Sequence, residues 1–76
     1  MDPIAYLKNK FSDRTFKAVA FNDIGINQTF VTFDMSGTSL GYDVWCNKID
    51  DSRYILVGQN GALYPDEKNQ GYFVEL

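Results

Sequence analysis

Gln28-Thr29-Phe30-Val31-Thr32-Phe33-Asp34-Met35 decides the fold. The run is dense in β-branched and aromatic residues, the types that suit a pleated, half-buried surface. Side chains on a strand alternate between faces. One side therefore carries Thr29, Val31, Phe33 and Met35, and the other carries Phe30, Thr32 and Asp34. The first set looks like core. The second joins a phenylalanine to a carboxylate, which is neither a clean core nor a plain solvated face.

Working outward, residues 15–21 also alternate and read as a strand, separated from the central run by a turn at 22–25. On the other side, Ser36-Gly37-Thr38-Ser39-Leu40-Gly41 is a turn cluster. Residues 42–46 form the next strand and 47–52 the next turn, and 53–57 resume the sheet. Asn60-Gly61 is the best tight-hairpin signal, because this pair accepts the left-handed conformations of a type I′ turn. Residues 62–64 pair briefly before Pro65 stops them, 66–71 form a polar loop, and 72–76 close the sheet.

Before all this, Asp2-Pro3 is a helix start: aspartate caps orphan amides and proline fits the first helical position. Ile4, Leu7, Lys8 and Phe11 follow at helical spacing. The pattern predicts a short helix over 3–11 that lays Ile4, Leu7 and Phe11 on the sheet. No helix-length segment separates the strands, so they should pair antiparallel as a meander. The expected fold is α+β: a short N-terminal helix, then a curved five- or six-stranded antiparallel sheet, with partial closure into a barrel left open. Residues 1–76 read as one small domain.

The other strands repeat the ambiguity of the first. Tyr42, Val44 and Cys46 oppose Asp43 and Trp45; Tyr72, Val74 and Leu76 oppose Phe73 and Glu75. The second sets collect Trp45, Phe30 and Phe73 beside Asp34, Asp43 and Glu75. One reading covers these aromatics with the helix and the loops of a twisted sheet. The other leaves them partly exposed, as an aromatic anchor ringed by polar groups, which is the anatomy of a protein-binding hot spot.

Composition narrows the chemistry. Six Phe, five Tyr and one Trp accompany a single Cys and no His. Without histidine the usual general base near neutral pH is missing, and a Ser–His or Cys–His pair cannot be built within the chain. No catalytic residue, cofactor or metal site is expected. Asp50-Asp51 lacks the ligand spacing of a calcium loop, Cys46 alone makes no zinc site, and Gly58-Gln59-Asn60-Gly61 lacks the lysine of a phosphate loop. Cys46 reads as a buried structural thiol.

Ten acidic against seven basic residues give a net charge of −3. The lysines are dispersed, so direct nucleic-acid binding is not expected. There is no run of about 18 apolar residues and no basic-then-apolar leader. Met1-Asp2-Pro3 reads as a native start, the last strand as reaching Leu76, and the absence of a disulfide framework as pointing to the cytoplasm. The function expected is that of a small acidic protein-binding module, an inhibitor or adaptor acting through Trp45, Phe30, Phe73, Asp34, Asp43 and Glu75. Two alternatives stand beside it. One is a nucleic-acid mimic that blocks a nucleic-acid-binding protein; the other is a self-associating structural protein or homodimer, paired through the final strand near Leu76.

Overall fold

A computed structural model describes residues 3–34 and 44–76. The elements run α1 (Pro3–Lys10), β1 (Phe16–Val19), a single 3₁₀ turn (Phe21–Asp23), β2 (Thr29–Asp34), β3 (Val44–Asp50), β4 (Arg53–Leu56), β5 (Ala62–Leu63) and β6 (Gln70–Glu75). Among the described residues the fold is α+β, with one α-helix and one six-stranded sheet in which every neighbouring pair is antiparallel.

The helix and the central strand form where their patterns place them. The helix ends on a bond from the Phe11 N–H to the Leu7 carbonyl, one residue short of the expected span. Three expectations need correction. The strand order is β1-β6-β2-β3-β4-β5, not a meander, because the last strand inserts between the first two. Among the described residues the sheet is not closed, and β1 and β5 are its edges. And β3 runs on through residues read as a turn, as far as Asp50, where Ile49 forms a one-residue bulge opposite β4.

The insertion of β6 follows from cover on both faces. Phe73 lies opposite Val31 and opposite Ala18, and Tyr72 opposite Thr32 and Val19. A strand with apolar residues on both sides is most stable in the sheet interior, where both sides are shielded. Both of its backbone edges are consequently used at Tyr72 and Phe73.

Register then fixes which side chains share a face, since a one-residue slip inverts the whole set. Phe30 lies opposite Cys46, and Val31 opposite Trp45 and Phe73. One face, covered by α1, buries Leu7, Phe16, Val31, Phe33 and Phe73, with Ile4, Tyr6, Phe11 and Trp45 packed at its margin. The other face is covered by the 3₁₀ turn and buries Phe21, Ile24, Phe30, Cys46, Tyr54, Tyr72 and Val74. The sheet is the middle layer between two small cores. Phe30 therefore does not share a face with Trp45 and Phe73, and Val31 does not share one with Cys46 and Val74. Alternation within each strand is as expected, but the phase between strands is not.

Candidate functional site

The chain after α1 turns on a bond from the Arg14 N–H to the Phe11 carbonyl. That turn brings Arg14 back over the margin of the helix-side core. Trp45, on β3, meets Phe11 at 5.7 Å and Phe16 at 6.1 Å, both edge-on. The Arg14 guanidinium lies over both Phe11 and Trp45, at 5.6 and 5.8 Å from the ring centroids. Its Nε stands 3.6 Å from Glu75 Oε2, and both side chains are substantially exposed. Trp45 itself is only partly buried. The result is an aromatic anchor with a cation above it and a carboxylate beside it.

Tyr6 and Lys10 extend this face along the helix. Tyr6 meets Phe33 edge-on at 5.5 Å, and Lys10 Nζ lies over the rings of Tyr6 and Phe11. Between α1 and β1, Ile4, Lys8, Ser12, Arg14, Thr15 and Phe16 line a cleft of about 260 Å³.

The six residues expected at the site are distributed unevenly. Trp45 and Glu75 meet through Arg14. Phe73 lies on the same side of the sheet but is only 5% exposed, and Phe30 is 1% exposed on the opposite face. Asp34 ends β2 in register with Gln70, and Asp43 lies outside the described residues. Phe11, Arg14 and Lys8 were not anticipated. The sequence carried a signal for them: residues 3–19 hold four cations, Lys8, Lys10, Arg14 and Lys17, against Asp13 alone.

On the other face the titratable groups are sealed. Cys46 is wholly buried, and burial pushes its thiol up to about 12. The hydroxyls of Tyr54 and Tyr72 both donate to Gln70 Oε1, at 3.4 and 3.1 Å, and the Asp66 N–H donates to the Tyr72 hydroxyl at 2.8 Å. Burial raises both phenols, Tyr72 to about 12. Such groups hold the fold together and offer no nucleophile near neutral pH. Among the described residues no group of three or more His, Cys, Asp or Glu is placed to hold a metal, and no helix is long and apolar enough to cross a membrane. No protein-family model, curated protein or solved structure matches the chain.

Proposed function

We propose that the chain is a small acidic protein-binding module, an inhibitor or adaptor without catalytic activity, that works in the cytoplasm through the face around Trp45. One observation carries this reading: the sole tryptophan sits half-covered at the core's margin, beneath an exposed arginine that is stacked on it. Trp and Arg dominate the energetics of protein interfaces, where they fill desolvated pockets within a polar rim.

The test is capture of a partner from the native host, followed by affinity measurements with Trp45→Ala and Trp45→Phe. Loss of a hot-spot tryptophan should weaken binding by about 30-fold or more, roughly 2 kcal/mol; Trp45→Phe should fall between Ala and the wild type. Undiminished affinity in a folded Trp45→Ala protein would remove this face from the interface.

A further inference from the structure

We propose that Arg14, helped by Lys8, receives a carboxylate from an acidic segment of the partner protein, displacing Glu75. The inference rests on the protein-binding reading above and names the chemistry of what binds.

Charge distribution is the first ground. Residues 3–19 carry a net +3 in a chain whose total is −3. Three of those cations, Lys8, Lys10 and Arg14, lie on α1 and the turn after it at the rim of the Trp45 face, against Asp13 and Glu75; Lys17 lies on the other side of the sheet, beside Asp23 and Val74. Complementary charge at a rim steers and orients a partner.

Arg14 itself is the second. Its guanidinium offers five N–H donors, yet among the described residues it makes no hydrogen bond, and its one ion contact there is the 3.6 Å approach of Nε to Glu75. Its stacking over Phe11 and Trp45 restricts the side chain before any ligand arrives, so less freedom is lost on binding. The cleft beside it supplies a second exposed cation in Lys8, the hydroxyls of Ser12 and Thr15, and apolar walls from Ile4 and Phe16. A planar guanidinium suits a carboxylate held bidentately. Polynucleotide backbones need a longer basic track that neutralises many phosphates, and the cations beside Trp45 are only Lys8, Lys10 and Arg14. Glu75 occupies Arg14 as an internal competitor, and the long contact marks it as a replaceable one.

The experiment is an NMR titration of the full chain, following the Arg14 side-chain N–H and the Trp45 indole N–H, with three probes: hexaglutamate, inorganic phosphate and a six-nucleotide single-stranded DNA. The proposal expects saturable shifts of both signals with hexaglutamate. Arg14→Gln should weaken that binding about tenfold or more, the effect of losing a charged hydrogen-bonding partner. Glu75→Gln should tighten it by about threefold, since a surface competitor is removed. Retained backbone spectra establish that each variant is folded. An Arg14 signal unmoved by millimolar hexaglutamate, an Arg14→Gln protein that binds as well as the wild type, or tighter binding of phosphate or DNA than of peptide would each overturn it. The two readings also fail separately. If Trp45→Ala abolishes partner capture while Arg14 stays silent to hexaglutamate, the face stands and the carboxylate is wrong. If hexaglutamate binds as expected but partner capture ignores Trp45→Ala, the anion site stands and the Trp45 hot spot is wrong.

Discussion

Lys48 carries its ammonium into a core and is only 3% exposed. Its Nζ donates to the carbonyls of Phe21 and Ile24 at 2.9 and 2.8 Å and lies 4.5 Å from the Phe21 ring centroid. Those two carbonyls belong to the turn that covers the second face of the sheet, so the lysine pins the cover to the strand beneath it. The backbone of the same residue receives the Asn27 N–H at 2.7 Å and donates to the Gln28 carbonyl at 3.1 Å, which fastens the loop leaving that turn. Asn27 adopts φ 70°, a left-handed conformation that asparagine tolerates better than most residues. Removing the ammonium orphans the buried Ile24 carbonyl and leaves the Phe21 carbonyl with the Ile24 N–H as its remaining donor. Lys48→Ala should destabilise the protein by about 2–4 kcal/mol in urea denaturation, and Lys48→Met, which keeps the packing and loses the donors, by about 1–3 kcal/mol. A Lys48→Met protein as stable as the wild type would show that the clamp contributes nothing. The sequence hid this residue because lysine is almost never fully buried, and Asn47-Lys48 beside Asp50-Asp51 reads as a polar turn.

Turns separate the two ways a glycine can matter in this chain. Asn60-Gly61 has the composition of a tight type I′ hairpin, yet neither residue has a positive φ; the left-handed position is Gly58, at φ +86°, the third residue of a turn closed by the Gln59 N–H on the Leu56 carbonyl. The reason is register: Tyr54 pairs with Leu63 and Ile55 with Ala62, which leaves a wider loop than a two-residue turn spans. A Cβ added at either glycine meets no atom within 4 Å, so only backbone conformation distinguishes them. Gly58→Ala should therefore cost about 1 kcal/mol, whereas Gly61→Ala should be neutral or stabilise by up to about 1 kcal/mol through the unfolded chain. The reverse ranking would restore the tight hairpin. Elements with a strong local period, α1 and β2, were legible because 3.6- and 2-residue spacings are written into them. Strand order was not, because β6 is placed by burial of Tyr72, Phe73 and Val74 against distant residues. The candidate site was legible to the same degree: Trp45 and Glu75 could be singled out, while Arg14 reaches them only through a turn that no local pattern announces.

At the scale of the whole molecule, ten of the twelve aromatics in 76 residues fill or border two thin cores on one sheet. A small chain buries a modest share of its surface, and large rings that meet edge-on recover much of the packing that a single deep core would give. On the turn side Phe21, Phe30, Tyr54 and Tyr72 form one such cluster, with centroids 5.5 to 6.0 Å apart. The arrangement makes stability depend on keeping buried acids neutral. Cys46 is raised from 9.0 to about 12, Tyr72 from 10.0 to about 12, and Tyr54 also upward, each chiefly by burial. In the unfolded chain these groups give up their protons near 9 and 10, while the folded chain still holds them. Above pH 9 the native state therefore binds more protons than the unfolded one, and stability must fall as pH rises from about 9 to about 12. Below pH 9 these groups are protonated in both states and contribute no slope. The urea midpoint should thus be insensitive to them between about pH 7 and 8.5 and should decline steeply between about pH 9.5 and 11. Cys46→Ala, measured against its own neutral-pH value, should move the onset of that decline from about pH 9 toward about pH 10, because only the phenols remain to drive it. A flat alkaline limb in the wild type would mean that water reaches these groups in the folded protein, and the sealed core on the turn side would have to be abandoned.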